Sequence, residues 1–367
     1  PSAYGWRCFG TRVDGDCTYD ETNAVRHLIL AANIIEFYGT LGAAYTLDTQ
    51  VGEFSFGSSF IIGYQRFDFD TVVHASPLTA GDPNEDPGDE SLFTARGLED
   101  WKPSGVFGFA YSIADVTFGA SYRLPFRWAP SGTVDFTVPP NLDSFEDVRL
   151  TDDRITLETN QAGALRLGLG YEHFVDSRER PLFDIAFDFV WENWSQVDHY
   201  AVRPAGEVEV YATADGDPIA IPGGLNDVYQ AKGFEDTFAF RLGGGYSPTE
   251  WLAIHAGGFY ETAAQPEAFT SPDWVSWTRF SAGGGVTLSA TDWLDVDLAY
   301  SHVFSPDRTV EDGELYNPVV FNDCTGPDYD DPDNCEEPGT PPGNPQNNGQ
   351  WSSSFDFASI GVTMHFD

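Results

Sequence analysis

The sequence predicts an all-β protein, a transmembrane antiparallel β-barrel whose strands are joined by long acidic loops. Three observations support this fold class. Runs of about ten residues alternate apolar with small or polar side chains, as in a barrel wall that has lipid on one side. Tight and long connections alternate along the chain. The sequence contains no apolar run of about 18 residues, the length that a transmembrane helix needs.

The clearest wall segment is residues 236–304, which contains four alternating runs. Two of the three connections between these runs are tight turns, and each is followed by a tryptophan, Trp251 or Trp293. Because side chains alternate between the two faces of a strand, one face of this segment is apolar and the other is small or polar. The apolar face, expected to contact lipid, includes Phe238, Phe240, Leu242, Tyr246, Leu252, Ile254, Tyr260, Phe280, Leu298 and Tyr300.

The same alternation predicts wall strands on both sides of this segment. They cover residues 39–47, 53–70, 104–113, 116–138, 160–174, 182–194 and 353–367. A short extra strand is expected at 207–212, and a short helical piece at 91–101 within a loop over 71–103. In the strand that begins at residue 116, the residues expected on the lipid face are Phe118, Tyr122, Leu124, Phe126 and Trp128.

The lengths of the connections predict how the chain is oriented in the membrane. Bacterial barrels have short periplasmic turns and long extracellular loops. The short connections lie near 48–52, 114, 175–181, 247–250 and 290–292, and the long ones near 71–103, 139–159, 195–235, 263–275 and 306–350. The pattern gives about eleven strands, whereas bacterial barrels close with an even number. We therefore expect residues 1–367 to form a single outer-membrane barrel domain that lacks an N-terminal portion with an odd number of strands.

The formal charge of −40, from 58 acidic and 18 basic residues, excludes a nucleic-acid-binding surface. Much of the acid lies in the loop segments 82–91, 143–153 and 323–337. One interpretation is a solvated surface; another is weak calcium binding by carboxylates, for which no EF-hand loop is present. The candidate calcium ligands are Asp328, Asp330, Asp331 and Asp333.

The four cysteines fall into two local pairs, Cys8 with Cys17 and Cys324 with Cys335. Both pairs lie in polar, turn-rich segments. In an oxidising compartment such pairs form disulfides that staple loops. A zinc site would need CxxC spacing or nearby histidines, and neither is present.

Several stretches, taken in order, resemble the FadL family of outer-membrane transporters, also called the OmpP1/TodX group. They are PSAYG (1–5), FYGTLGAAYTL (37–47), the run from SGVFGFAYSI to TVDF (104–136), ALRLGLGYEHF (164–174), VWENWSQV (190–197), DTFAFRLGGGYSPTEWLAIHAGGFYETAAQP (236–266) and AGGGVTLSATDWLDVDLAYSHVF (282–304). The resemblance implies a barrel of about 14 strands with an N-terminal hatch, so the hatch and the first strands would lie upstream of residue 1. It also implies transport of long-chain fatty acids or other hydrophobic compounds across the outer membrane of a Gram-negative bacterium.

Four arginines fall on predicted inward positions: Arg123, Arg127, Arg166 and Arg241. Three acidic residues share that face: Asp184, Asp188 and Glu192. One interpretation is that the arginines clamp the carboxylate headgroup of a fatty acid. The other is a ladder of ion pairs that fills the lumen. Arg123 and Arg127 have fewer acidic neighbours in the predicted pattern, which favours these two as ligand contacts.

Apolar residues near the loops also allow two interpretations. Trp101, Trp251 and Trp293 lie at strand ends, either as aromatics of the membrane interface or as surfaces that stack on a ligand. Leu92, Phe93 and Leu98 either form an outer hydrophobic landing groove or pack the loop that contains them.

The favoured function is passive import of hydrophobic molecules, with outer-membrane lipid as the surroundings and no cofactor or energy source. A different class of function is a structural or surface barrel whose stapled acidic loops bind cations or neighbouring surface proteins. A third is a water-filled porin for polar solutes. An enzymatic function is not favoured, because an outer-membrane lipase needs a serine beside a histidine, and the only suitable histidine, His255, has no serine motif near it.

Overall fold

A computed structural model shows a chain built from antiparallel strands. It describes residues 11–13, 16–18, 29–74, 90–137, 147–175, 180–197, 199–206, 208–214, 217–223, 228–271, 275–291, 293–315 and 347–365. These ranges include two short 3-10 helices, Trp194–Gln196 and Glu267–Phe269. No helix within them is long and apolar enough to cross a membrane.

The strands are numbered in chain order. They are β1 (Thr11–Val13), β2 (Asp16–Thr18), β3 (Ile29–Thr49), β4 (Gly52–His74), β5 (Glu90–Ile113), β6 (Val116–Arg123), β7 (Phe126–Trp128), β8 (Ser131–Phe136), β9 (Asp147–Leu150), β10 (Arg154–Gln161), β11 (Ala164–His173), β12 (Phe183–Glu192), β13 (His199–Pro204), β14 (Val208–Ala214), β15 (Asp217–Gly223), β16 (Val228–Ala231), β17 (Thr237–Thr249), β18 (Leu252–Glu261), β19 (Arg279–Thr291), β20 (Leu294–Phe304), β21 (Arg308–Val310), β22 (Gly349–Trp351) and β23 (Ser354–Met364).

Eleven of these strands form one continuous wall, in the order β3–β4–β5–β6–β11–β12–β17–β18–β19–β20–β23. Every neighbouring pair is antiparallel. Both the number of wall strands and their up-and-down order agree with the sequence prediction, because each alternating run forms one wall strand. The extra strand expected at 207–212 is present as β14.

The wall has one apolar face and one face of small and polar residues. Directly opposed residues of a ladder lie on the same face of a sheet. The pair Phe187–Leu242 therefore belongs to the apolar face, and the pair Gly243–Gly257 belongs to the other. Phe187 and Leu242 are 42% and 56% exposed, as expected for side chains that contact lipid. We call the opposite face the inner face and the space that it borders the lumen.

The prediction of a loop over 71–103 with a short helical piece at 91–101 was wrong for residues 71–74 and 90–103, which form strands; residues 75–89 lie outside the described residues. β4 and β5 remain paired through this region, with His74 opposite Glu90 and Phe67 opposite Leu98. The ladder shifts register beside Gly97, whose φ of 62° is a conformation that glycine adopts readily. Pairing between two long strands outweighs the local helical pattern here.

The strand β5 belongs to two branches of the sheet. Residues 106–113 pair with β6, whereas residues 93–99 pair with β8. From β8 the sheet continues through β10 and β13 to β16. β5 has 24 residues. It therefore spans roughly 80 Å, whereas a membrane-spanning strand needs only about 9–11 residues. The second branch consequently extends beyond the membrane on the extracellular side.

This extracellular branch has a hydrophobic core of its own. Its buried members come from β4, β5, β8 and β10, and they are Phe67, Phe69, Ala95, Leu98, Val134, Ile155 and Leu157. Phe93 packs against this core and stacks on Phe136, with ring centroids 5.8 Å apart. For Leu98 and Phe93, packing within the extracellular branch is therefore the interpretation that holds.

The three tryptophans at strand ends are exposed. Trp101, Trp251 and Trp293 keep 62%, 57% and 52% of their surface accessible. Trp101 also packs against Tyr64 on the apolar face, with the two ring centroids 4.8 Å apart. This placement favours the membrane interface over a role in stacking on a ligand within the lumen.

Candidate functional site on the inner face

A belt of small residues crosses the middle of the inner face. Its members are opposed in neighbouring strands as Ala44–Gly57–Gly108, Gly119–Gly168 and Ala186–Gly243–Gly257–Gly283. Some of these positions leave no room for a side chain, since a Cβ on Gly283 would lie 2.6 Å from the Cβ of Ser301. The belt leaves little side-chain bulk at these positions of the inner face.

Arg123 lies on the inner face, at the extracellular end of β6. It is directly opposite Val106 of β5 and Ala164 of β11, in agreement with the predicted inward position. Its Nη2 donates a hydrogen bond to the carbonyl oxygen of Ala162 at 3.0 Å. Its Nε is buried and has no hydrogen-bond partner among the described residues. One buried N–H of the guanidinium therefore lacks an acceptor among these residues.

Two carboxylates, Glu36 and Glu192, lie within electrostatic range of Arg123. Both are bonded elsewhere. The hydroxyl of Tyr38 and the amide of Gln65 donate to Glu36 at 2.6 and 2.8 Å, and the indole of Trp194 donates to Glu192 at 2.9 Å. The sequence indicated few acidic neighbours for Arg123, because only the assembled wall brings β3 and β12 to its side.

Phe126 and Trp128, three and five residues after Arg123, form a stacked pair. Their ring centroids are 5.0 Å apart, the rings are inclined by 6°, and the two residues are only 1% and 3% exposed. The pair lies over Gly63 of β4, and the ring of Tyr38 is 5.6 Å from that of Phe126. The indole Nε1 of Trp128 is buried, with no hydrogen-bond partner in the part of the chain that the structure describes.

The predicted orientation of β7 was wrong. Phe126 and Trp128 were expected on the lipid face and Arg127 in the lumen, but Arg127 is the exposed residue of this strand. It lies opposite Asn160, while Phe126 lies opposite Gln161 on the buried side. The physical reason is the break at Leu124 and Pro125 between β6 and β7, which reverses the alternation of faces. Arg127 is therefore not grouped with Arg123.

Arg166 and Arg241 lie on the inner face, as predicted. Arg241 is directly opposite Asp188, and Arg166 is one strand away from that residue. Across the described ranges, however, neither arginine forms an ion pair with Asp184, Asp188 or Glu192. Both arginines are exposed to the lumen, where an ion pair gains little because water screens the charges. Ligand contact by either arginine stays a prediction.

Two ion pairs on the inner face were not predicted. Glu261 and Arg279 join β18 to β19 at the extracellular end, with Oε1 and Nη2 2.6 Å apart. The sequence gives one indication of this pair, because the two residues lie at the strand ends on either side of a single loop. Arg180 and Asp295 form a pair of the same length at the periplasmic end. These two residues are 115 positions apart, so the sequence gives no indication that they form an ion pair.

His255 belongs to a short polar chain on the inner face. Its Nε2 is 3.1 Å from Oγ1 of Thr287, which donates to Oδ1 of Asp297 at 2.6 Å. Neither Thr287 nor Asp297 is a serine nucleophile, so this row of hydrogen-bonded side chains does not supply the arrangement that a hydrolase requires.

Several predicted sites fall outside the described residues. They include the candidate calcium ligands Asp328, Asp330, Asp331 and Asp333, and the cysteines Cys8, Cys324 and Cys335. Cys17 lies in β2. Both disulfides and calcium binding therefore stay predictions. Over the ranges that are described, no group of three or more histidine, cysteine or acidic side chains is arranged to hold a metal ion.

The chain is similar to known outer-membrane proteins. The sequence model of the family described as outer membrane protein transport protein (OMPP1/FadL/TodX) matches residues 11–322. The crystal structure of a Pseudomonas aeruginosa FadL homologue superimposes with a TM-score of 0.62 and 15% identity, covering 95% of this chain and 71% of that one. A mutant of the TodX monoaromatic hydrocarbon channel gives a TM-score of 0.54 and 15% identity, covering 92% and 72%.

A further similar structure is the Pseudomonas putida toluene transporter TodX, with a TM-score of 0.48, 16% identity, and coverage of 76% of this chain and 66% of that one. No curated protein matches the sequence. Together with the family match, the superposition on the FadL homologue confirms the predicted β-barrel fold.

Proposed function

The chain belongs to the family of outer membrane transport proteins known as OMPP1/FadL/TodX, and on that premise we propose that it imports long-chain fatty acids passively, with Arg123 as a contact for the carboxylate. It is a transport protein of the Gram-negative outer membrane that carries hydrophobic compounds, and it is not an enzyme. The ligand would leave water at the extracellular end, pass the inner face and enter the periplasm without a cofactor or an energy source.

The observation that carries this proposal is the unpaired N–H of Arg123 on the inner face. A carboxylate would accept a charge-assisted hydrogen bond from Nε, which has no other partner among the described residues. The alkyl chain would meet the ring of Tyr38, which is 45% exposed and packs against Phe126, and then the small residues of the belt. Glu36 does not compete strongly, because Tyr38 and Gln65 already donate to both of its oxygens.

A second candidate is an uncharged aromatic hydrocarbon, the type of compound that the TodX channel carries by name. The ring of Tyr38 favours it, since this ring is 45% exposed, lies 5.6 Å from the buried ring of Phe126, and planar molecules stack well on an exposed aromatic ring. A hydrocarbon would make no use of the Arg123 N–H. The two candidates therefore differ in how strongly they depend on that residue.

Binding measurements on the purified full-length protein in detergent distinguish these candidates. We expect Arg123→Gln to weaken binding of a fluorescent long-chain fatty acid by about tenfold or more, the loss of one charge-assisted hydrogen bond. Arg123→Lys should recover part of that loss. Arg66→Gln is the matched control, because Arg66 lies on the other face and pairs with Asp68 and Glu99. If the parent protein binds toluene but not the fatty acid, the hydrocarbon is the favoured ligand. If it binds neither compound, both candidate functions are contradicted.

A further inference from the structure

A polar cluster of Tyr300, His302 and Asp356 lies where β20 pairs with β23. The hydroxyl of Tyr300 and Nδ1 of His302 both donate to Oδ1 of Asp356, at 2.6 and 2.8 Å. His302 is directly opposite Asp356, and the ladder connects it through β19 and β18 to Leu242. Because Leu242 belongs to the apolar face, the cluster lies on the side of the wall that contacts lipid.

The cluster lies near the extracellular boundary of the membrane. His302 comes nine residues after Trp293, the tryptophan at the periplasmic boundary. Nine residues of a strand tilted by about 40° rise roughly 23 Å, close to the height of the apolar band of a barrel, about 25 Å. One position further on the same face, the rings of Phe280 and Phe304 stack with centroids 5.0 Å apart, as in an interfacial aromatic belt. The cluster therefore faces the lipid headgroups of the outer leaflet.

Two hydrogen-bond acceptors of the cluster are not used within the wall. An ionised carboxylate only accepts hydrogen bonds, so Nδ1 of His302 carries the proton and Nε2 of the neutral ring is an acceptor. Among the described residues, neither Oδ2 of Asp356 nor Nε2 of His302 has a hydrogen-bond partner. The Asp356 side chain is 63% exposed. A carboxylate on the lipid face is stable only where polar groups meet it, so the headgroup layer has to supply donors.

Small residues form a recess beside the cluster on the same face. They lie opposite its members in β19 and β23, and they continue into β18. The recess consists of Ala256, Gly258, Ala282, Gly284 and Ala358. Larger side chains, Phe280 and Val286, border it along β19. The wall therefore offers room for an apolar chain directly beside polar groups, which is the arrangement that an amphipathic lipid requires.

We propose that this cluster binds the sugar headgroup of an outer-leaflet glycolipid, with one acyl chain of the lipid in the recess. The outer leaflet of the Gram-negative outer membrane consists mainly of lipopolysaccharide, whose sugar hydroxyl and amide groups donate hydrogen bonds. These donors match Oδ2 of Asp356 and Nε2 of His302, whereas the carboxylate would repel a phosphate group. The ring of Phe304, 4.1 Å from that of His302, provides an apolar side for a sugar ring. The site lies outside the lumen, so it does not depend on the ligand that the barrel imports.

Native mass spectrometry of the purified full-length protein tests the site, with deep-rough lipopolysaccharide as the probe. We expect Asp356→Asn to weaken binding by about fivefold or more, because a charged acceptor is lost. Ala282→Leu should weaken it similarly, since the larger side chain fills the recess. The matched controls are Glu99→Gln, an outer-face carboxylate that already pairs with Arg66, and Ala43→Leu, an exposed position of the same face in β3. Both controls should bind as the parent does.

Heat-modified gel mobility shows whether each variant is folded, so weaker binding by a folded Asp356→Asn variant supports the site. The proposal is overturned if the parent does not bind lipopolysaccharide, or if both site variants bind it as tightly as the parent does. Equal binding of phosphatidylethanolamine would assign the cluster to an ammonium headgroup and also overturn it. So would a parent dimer that dissociates in Asp356→Asn, because this face would then be covered by a second copy of the chain.

Discussion

The ring of Trp128 rests directly on Gly63: a Cβ at residue 63 would lie 2.7 Å from Cη2 of Trp128 and 3.0 Å from Cε1 of Phe126. This contact seats the aromatic pair against β4, at the level where the lumen passes into the extracellular branch. Gly63 is therefore required for space, and its partner is a rigid indole that is 3% exposed.

We predict that Gly63→Ala destabilises the barrel by about 1–3 kcal/mol, the usual effect of overpacking a tight contact. The reason is that the buried indole and the phenyl ring have little room to move aside. Unfolding by urea in detergent measures the change. Gly119→Ala is the matched control, since a Cβ at that inner-face position meets nothing within 4 Å. Equal stability of the two variants would contradict the close packing described for Trp128.

Trp128→Phe should fold as stably as the parent, within about 1 kcal/mol. The substitution removes a buried N–H that has no partner among the described residues, so no hydrogen bond is lost. Some packing area disappears, and the two effects offset each other. Urea unfolding provides the comparison, with Trp128→Ala as the variant expected to lose about 3–5 kcal/mol. A loss for Trp128→Phe as large as that for Trp128→Ala would show that the indole N–H is bonded after all.

Arg127→Gln should leave ligand binding unchanged, in contrast to Arg123→Gln. Arg127 is the exposed residue of β7, opposite Asn160, whereas Phe126 and Trp128 occupy the buried side. Fluorescent fatty-acid binding by the two glutamine variants, prepared side by side, makes the comparison. Weaker binding in Arg127→Gln alone would restore the orientation expected from the sequence and remove Arg123 from the site.

The sequence alone predicts the wall well, because lipid contact imposes a two-residue period that each strand shows independently. It does not predict the site as well. Alternation cannot reveal the break at Leu124 and Pro125, and this break reverses the two faces of β7, the strand that follows it. Arg180 and Asp295 are 115 residues apart, so only the assembled wall brings them together. The long pairing of β4 with β5 was missed because local patterns do not report partners distant in the chain.

Glu261 and Arg279 should show a measurable coupling energy of about 1–2 kcal/mol in a double-mutant cycle. Their side chains are 18% and 34% exposed, and the cross-strand register holds the two groups opposite each other. Glu261→Gln, Arg279→Gln and the double variant, unfolded in urea, give the value. The pair Arg66–Glu99, with side chains 42% and 47% exposed, is the control and should couple by less than about 0.5 kcal/mol. Similar coupling energies in both cycles would mean that partial burial on the inner face does not strengthen the Glu261–Arg279 pair.

The extracellular pair Asp152–Arg154 predicts a response to acid. The side-chain hydrogen bond from Arg154, aided by its backbone N–H, lowers the pKa of Asp152 from 3.8 to about 2. Arg154 Nε lies 2.9 Å from Oδ1 of Asp152. Because the folded-state pKa is the lower one, the contribution to stability is present above pH 3.8 and is lost as the pH falls through about 2.

The carboxyl carbon resonance of Asp152, followed by NMR between about pH 1.5 and 6, measures this titration directly. Arg154→Gln should return the midpoint towards the ordinary value, because it removes the first and largest cause of the shift. Arg127→Gln, which removes an exposed arginine from a different strand, should leave the titration midpoint of Asp152 unchanged. An ordinary midpoint for Asp152 in the parent protein would show that the pair does not persist in solution and that the turn before β10 is held by other contacts, such as the bond from Ala205 to the carbonyl oxygen of Arg154.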